Sequence, residues 1–451
     1  MKTPAAVALA LLCSTLSFPV LAKVVAGEAA RLGQALTPLG AERAANAAGT
    51  VPAWTGGLTT VPACYKGAGS RLCDPFAEDK PLFTVTKADV ERYEALVSPG
   101  QRVLLSRFND YRMNVYKTRR SFANPKFIYD ATLRNATQAE LGGNGEALVG
   151  AVTGIPFPIP QNGHEVIWNH KTRFRGLSGV RINAQFAVTS NGSYNQSTLR
   201  EEARFSYSYP NITAASLDNV LIYFQQVVTA PPRLSGTILL VHETMDQVLE
   251  PRRAWQYNPG QRRLRRAPNV GYDNPGTASD GLRTNDQTDS FNGAMDRYDW
   301  KLVGKQEMLV PANSYDLHSD KHKYKDLVLP QHLNQTVVRY EQRRVWVVEA
   351  TLKDGITHIY KKRVFFVDED GWQIRAVDLY DRRGQLWRVQ ETHSVMDYDR
   401  GFELVVGETV YDLQVNRYLV QSLNNEEPES VAKEFPVSYF DPANVQKQTT
   451  K

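Results

Sequence analysis

The stretch VRINAQFAV, residues 180–188, sets Val180, Ile182, Ala184, Phe186 and Val188 at every second position, with Arg181, Asn183 and Gln185 between them. Side chains on a strand alternate between two faces, so this strict period admits a half-buried antiparallel strand and little else. The runs ARFSYSY, VLIYFQQVV and GTILLVHET read as its successors. Further on, HIYKKRVFFV, GWQIRAVDLY and GQLWRVQETH are separated by DED before Gly371 and DRR before Gly384. Such short Gly-containing joins spell a β-meander. Ahead of the strands, Thr86 and Asp89 resemble a capping box that opens a helix over TVTKADVERYEALV, and GQRVLLSRF reads as a second helix. GGNGEALVGAVTGIPFPIPQNG is too interrupted by Gly and Pro for long elements and is expected to wrap as a loop. The polar stretches 270–293 and 311–326 are expected to be long loops as well. The expected class is α+β: a large, twisted antiparallel sheet with a few helices covering one face.

The amino terminus sets the compartment. Lys2, an apolar run from Ala5 to Leu12, and Phe18-Pro19-Val20-Leu21-Ala22 make a secretory signal peptide over residues 1–22, cleaved after Ala22. Cys13 follows Leu12, where a lipid-anchoring signal would carry a small residue, so no lipid anchor is expected. The two cysteines that remain, Cys64 and Cys73, are then exposed to an oxidising compartment and are expected to form a disulfide. On the chain-entropy model a loop of about ten residues gains about 2.7 kcal/mol. Residues 23–110 form an amino-terminal helical and loop region carrying that disulfide, and 111–451 the sheet domain. With 42% hydrophobic and 10% aromatic residues the chain can fill a sizeable core.

Catalytic signatures are not found. There is no Gly-x-Ser-x-Gly elbow, His-Glu-x-x-His, phosphate loop or dinucleotide fingerprint. In YDLHSDKHKYKD, Asp316, His318, Asp320 and His322 alternate and on a strand would share a face, a donor set able to hold zinc or manganese. Clusters of this kind are more often solvated loop residues, and no metal or other cofactor is expected. No catalytic residue is assigned, and the chain reads as not an enzyme.

The segment RRAWQYNPGQRRLRRAPNVGY, residues 252–272, holds six arginines and no acidic residue. It reads as a hairpin: strand 253–257, turn Asn258-Pro259-Gly260, strand 262–267. On the second strand Arg262, Leu264 and Arg266 share one face, Arg263 and Arg265 the other. Nucleic acid is excluded as a partner, because the formal charge of +5 falls only to +4 (5 − 1) when Lys2 leaves with the signal peptide. Three readings stay open. The arginines protect an exposed sheet edge, they meet anionic head groups or an acidic partner, or they pair with Asp273, Asp280, Asp286 and Asp289 of the loop that follows.

NAAGTVPAWTGGL, GIPFPIPQNGHEVIWNHKTRFRG and the long block from Trp255 to Met308 resemble the signature stretches of a family of exported Gram-negative, Pseudomonas-type proteins known as a domain of unknown function. That family is grouped with the outer-membrane lipoprotein-sorting superfamily of LolA- and LolB-like proteins. Shorter relatives carry a Trp-x-Tyr-x-Pro stretch followed by basic residues, matched here by Trp255, Tyr257, Pro259, Arg262, Arg263, Arg265 and Arg266. The resemblance implies an incomplete, half-open β-barrel whose concave face is covered by helices, with an apolar cavity between them. It also implies a periplasmic location, and the company of a resistance-nodulation-division-type exporter and an outer-membrane protein. The expected function is a carrier or accessory protein for a lipid, lipoprotein or other amphipathic envelope molecule. Ile182, Phe186 and Val188 are expected to line the cavity. Trp255, Tyr257 and the arginines from Arg262 to Arg266 are expected at its mouth, against a head group or partner. The alternatives are a periplasmic scaffold that links an inner-membrane pump to an outer-membrane protein and carries nothing, and, with less support, a hydrolase of envelope polymers.

Overall fold

In the computed structural model, which describes residues 24–448, the alternating segments pair into one sixteen-stranded sheet. Its first strands, β1 (Phe83–Val85) and β2 (Met113–Tyr116), are short, and a separate small hairpin follows from β3 (Glu140–Gly142) and β4 (Ala147–Val149). Then come β5 (Ser178–Val188), β6 (Tyr194–Arg204), β7 (Val220–Ala230), β8 (Ile238–Thr244), β9 (Arg253–Asn258) and β10 (Arg263–Arg266). The remaining strands are β11 (Tyr298–Pro311), β12 (Tyr340–Leu352), β13 (Lys362–Asp368), β14 (Ile374–Tyr380), β15 (Leu386–Asp397), β16 (Phe402–Asp412), β17 (Arg417–Leu423) and β18 (Val431–Ala432). The order runs β1-β2-β12-β13-β14-β15-β16-β17-β5-β6-β7-β8-β9-β10, with β11 on β12 and β18 on β5. Consecutive antiparallel hairpins account for nearly all of it, as short Gly-containing joins require. The β2–β12 pairing alone is parallel among the described strands, so the sheet is mixed. Its ends, β1 and β10, do not pair, and the sheet is not closed into a barrel.

Both faces are covered. On one, α3 (Lys126–Gln138) and α4 (Gly163–Thr172) bring Ile128, Val166, Ile167 and Trp168 against Trp300, Val348, Phe365 and Trp372. On the other, α2 (Pro99–Arg107) and the loops around residues 317–338 pack against Phe186, Val188, Val389, Tyr411 and Tyr418. The four-residue α1 (Ala26–Ala29) precedes these. Val85, Leu104 and Leu105 belong to that second core, so the segment before residue 110 shares its packing with the sheet.

Local readings differ in three places. The helix expected over residues 84–97 does not form. Thr86 and Asp89 do make the expected side-chain bond, at 2.7 Å, but Val85 pairs with Met113 in the sheet and Tyr93 stacks on Phe83 at 4.9 Å, which holds the segment in turns. ARFSYSY is not a strand of its own: Ala203 and Arg204 close β6, and Ser206–Ser208 is a 3₁₀ turn. β6 is polar, and its charges are paired: Glu201 with Arg181 across the ladder, Arg200 with Glu202 along the strand, and Arg204 with Glu434. The second hairpin strand begins at Arg263, since Arg262 takes φ 50° in the turn. GQRVLLSRF is helical as expected, within α2. The Cys64–Cys73 disulfide is formed, with Cα atoms 6.1 Å apart. The expected signal peptide and Cys13 lie outside the described residues, among which no helix is long and apolar enough to cross a membrane.

Candidate ligand cavity

On the face carrying α3 and α4, a cavity of about 690 Å³ opens between β5–β8 and their cover. The sheet register explains its floor. Residues directly opposite each other on antiparallel strands project to the same side. Arg181 of β5 stands opposite Glu201 of β6, Glu201 opposite Gln226 of β7, and Gln226 opposite Leu239 of β8. All four line the cavity, as do Phe224 and Val241, also opposite each other. The cover comes from Phe127 of α3, the link Arg173–Leu177 after α4, the loop around Asp289, and Ser430–Glu434.

The charged lining is largely paired. Arg181 donates from Nε to Glu201 at 2.5 Å, and Gln226 and Asn183 donate to the same carboxylate at 2.7 and 2.9 Å. Arg173 and Arg175 both donate to Asp289, at 2.5 and 2.7 Å. Burial raises the Asp289 carboxyl, but these two guanidinium groups outweigh it and hold the acid well below the usual carboxylate range. Arg252 faces Glu243 at 2.5 Å. Glu408 behaves oppositely. Burial, then the charge of Asp289, pushes its carboxyl up to about 7. The carbon of the lining comes chiefly from Phe174, Phe205, Phe224, Ile222, Val241 and Phe402.

The structure takes Ile182, Phe186 and Val188 off the cavity. Alternation sends Arg181, Asn183 and Gln185 toward it, while Phe186 and Val188, fully buried, pack with Tyr324 and Leu327 on the opposite face. With layers on both sides of the sheet, the apolar stripe met the tightly filled core, and the polar stripe met the hollow. Two residues apart means one face; it does not say which cover that face receives.

The hairpin lies at the sheet's edge. Trp255 and Tyr257 pack with Leu264, Phe435, Phe440 and Val445, and Arg266 lies over the Trp255 ring at 4.6 Å. Arg262, Arg263, Arg265 and Arg266 are exposed, and none of them lines the cavity. The loop aspartates pair elsewhere: Asp273 with Arg297, Asp280 with Arg417, Asp286 with Arg363 and Asp289 with Arg173 and Arg175. Pairing with these aspartates is therefore not what Arg262, Arg263, Arg265 and Arg266 do among the described residues, whereas Arg252 and Arg253 pair with Glu243 and Glu250. Arg265 does share a side with the cavity floor, because Leu239 stands opposite Gln256 and Gln256 opposite Arg265. That row, Arg181 to Arg265, crosses five strand spacings, about 24 Å. Leu239 and Gln256 also line a smaller cavity of about 450 Å³, which shares Leu239, Val270 and Asn285 with the first.

Asp316, His318, Asp320 and His322 do not form the strand that would have aligned them. Residues Tyr315–His318 are one helical turn, His318 meets Glu429 at 2.8 Å, and His322 meets Asp316 at 2.8 Å.

Sequence reading missed the cavity's own charges, Arg173, Arg175, Glu201, Arg283 and Asp289, as a group. The available signal was the polar side of β5 itself, which a one-sided sheet would have left in water.

The fold and its hollow define an open-sheet α+β protein with an internal, mainly carbon-lined cavity. Residues 84–446 match the family described as Protein of unknown function (DUF1329), and the chain belongs to that family. It is 49% identical over 429 residues to an uncharacterized protein of Pseudomonas aeruginosa, covering 95% of this chain and 94% of that one. It is also similar to the crystal structure of a DUF1329 family protein from Desulfovibrio piger, with a TM-score of 0.43, 14% identity, and 63% of this chain and 97% of that one covered. A putative outer membrane lipoprotein-sorting protein domain from Vibrio parahaemolyticus gives a TM-score of 0.42, 13% identity, and 62% and 97% coverage.

Proposed function

We propose that this protein is a non-catalytic periplasmic carrier for a lipid, lipoprotein or other amphipathic envelope molecule, working beside an exporter and an outer-membrane protein. The observation that carries the reading is the cavity. Its volume of about 690 Å³ sits inside the range of about 300–1,000 Å³ that small-molecule sites occupy. An acyl chain of about fourteen carbons costs about 11 kcal/mol to leave in water, at about 0.8 kcal/mol per methylene. A courier between two membranes has to supply an apolar hollow of this kind. The test is native mass spectrometry of protein purified from envelope fractions without detergent, followed by thermal unfolding with added lipids. A co-purifying mass of lipid size is expected, with stabilisation of about 2.7 kcal/mol when lipid reaches a hundred times its Kd. Ligand-free protein whose unfolding temperature no lipid moves would refute the carrier.

A scaffold is the second reading, and the exposed edge favours it. Arg263 and Arg265 have no carboxylate within 4.0 Å among the described residues, which leaves them available to an acidic partner. Charge reversal at both positions, R263E with R265E, should abolish capture of an envelope protein while lipid binding persists. Unchanged capture removes this reading.

A further inference from the structure

Six arginines line the cavity: Arg173, Arg175, Arg181, Arg252, Arg283 and Arg400. Five face carboxylates, namely Asp289 (twice), Glu201, Glu243 and Asp397. Arg283 faces none within 4.0 Å among the described residues, although it is only 5% exposed. It is nevertheless held in place. Its Nε donates to Gln421 at 2.8 Å, and its Nη1 donates to the Thr284 carbonyl at 3.3 Å and to the Thr288 hydroxyl at 3.2 Å. Gly276 makes the seat, since a Cβ there would stand 2.5 Å from Nη1. All three acceptors are neutral, so none cancels the charge.

Burying an ion without a counter-ion costs several kcal/mol. Glu408, Glu201 and Asp286 act on Arg283 only through space. Glu201 is already bonded to Arg181 and Asp286 to Arg363, and burial pushes Glu408 up to about 7. With Arg173 and Arg175 sharing one carboxylate nearby, positive charge is left at the wall for something from outside to neutralise. We propose, on the carrier reading above, that the ligand is an anionic amphiphile. Its carboxylate or phosphate head docks on Arg283, and its tail lies against Phe205, Phe224 and Val241. Charge-assisted hydrogen bonds from a guanidinium to an oxyanion are the strong class, and the neutral acceptors that Arg283 bonds leave that class of bond unused.

The test measures binding of four probes with the same tail to the mature protein by calorimetry: myristate, tetradecyl phosphate, tetradecanol and tetradecyltrimethylammonium. At least one anion should bind about tenfold or more tighter than tetradecanol, as a hydrogen bond to a charged group provides, and the cation should bind weakest. The tighter of the two anions identifies the head as carboxylate or phosphate. Arg283→Gln should shrink the anion-to-alcohol ratio to about threefold or less, and Arg283→Lys should restore part of it. Tetradecanol matching both anions, or a ratio that R283Q leaves unchanged, overturns the anionic ligand while the carrier stands. Failure of all four probes overturns the carrier itself. Should R283Q not fold, the order of the four probes on the wild type decides alone.

Discussion

Asp289 is the place where removing one atom's charge should cost the most. Its carboxylate receives Arg173 at 2.5 Å and Arg175 at 2.7 Å, and the side chains are 3%, 19% and 16% exposed for Arg173, Arg175 and Asp289. Asp289→Asn keeps the shape and strands two guanidinium groups without an anion. Breaking a buried pair from one side costs about 3–5 kcal/mol. Partial exposure of Asp289 places the expectation at the lower end, about 3 kcal/mol. With about 2.1 cal/mol/K of unfolding entropy per residue, the 425 described residues give about 0.9 kcal/mol/K, so Tm should fall by about 3 °C. Calorimetry at pH 7 is the assay. Because the folded carboxyl sits below its unfolded value, its contribution is complete above the unfolded pKa and is lost as pH falls through the folded one. The Asp289 carboxyl itself therefore adds no slope between pH 6 and 8, but its charge helps push Glu408 up to about 7, so the difference between wild type and D289N should narrow as pH rises through 7. A loss under about 1 kcal/mol would refute the view that this aspartate neutralises both arginines, since exposed pairs contribute no more than that.

Phe186→Ala should cost about 3–5 kcal/mol, the range for emptying an aromatic core site, while the relative affinities of the four tetradecyl probes stay as in wild type. A shifted probe order would return Phe186 to the cavity. Reducing Cys64–Cys73 should lower stability by about 2.7 kcal/mol on the loop-entropy model, read as a Tm about 3 °C lower with reductant. An unchanged Tm would show that the loop is held without the bond. Glu408 has a folded pKa raised to about 7, so its protonation stabilises the fold below the unfolded carboxyl value, and that contribution disappears as pH rises through 7. The Tm of Glu408→Gln relative to wild type should consequently rise between pH 5 and 8, and a flat difference would refute the burial argument.

How much of this was legible in the sequence depended on contrast between faces. β5 announced itself because its two sides differ chemically. β6, written YNQSTLREEAR, hid because two of its charges find their partners only in the assembled fold: Glu201 takes Arg181 on one neighbour and Gln226 on the other, forty-five residues apart (226 − 181), and Arg204 takes Glu434. α4 was missed for the reverse reason. Nine of its ten residues are buried, so no polar stripe marks a helical period. The Asn162 cap, accepting from the Glu165 amide at 3.1 Å, was the signal that could have found it. The meander from β13 to β15 was read correctly from its joins, because turn chemistry is local. Arg283 had no local signature at all, since its meaning is the missing carboxylate, and only the assembled cover shows which side chains surround it.

The cover itself has an order along the chain. Residues 430–434 complete the cavity wall; β18 pairs Val431 with Val180 and Ala432 with Gly179, and Arg400 on Ser430 and Arg204 on Glu434 fasten the two ends. Every strand of the floor precedes them in the chain. The floor of the trough is thus continuous in sequence, and its last side is contributed from the far end of the chain. The last piece of wall to join the hollow is a segment that a short strand and side-chain clasps at its ends hold in place, the opposite of the continuous ladder that makes the floor.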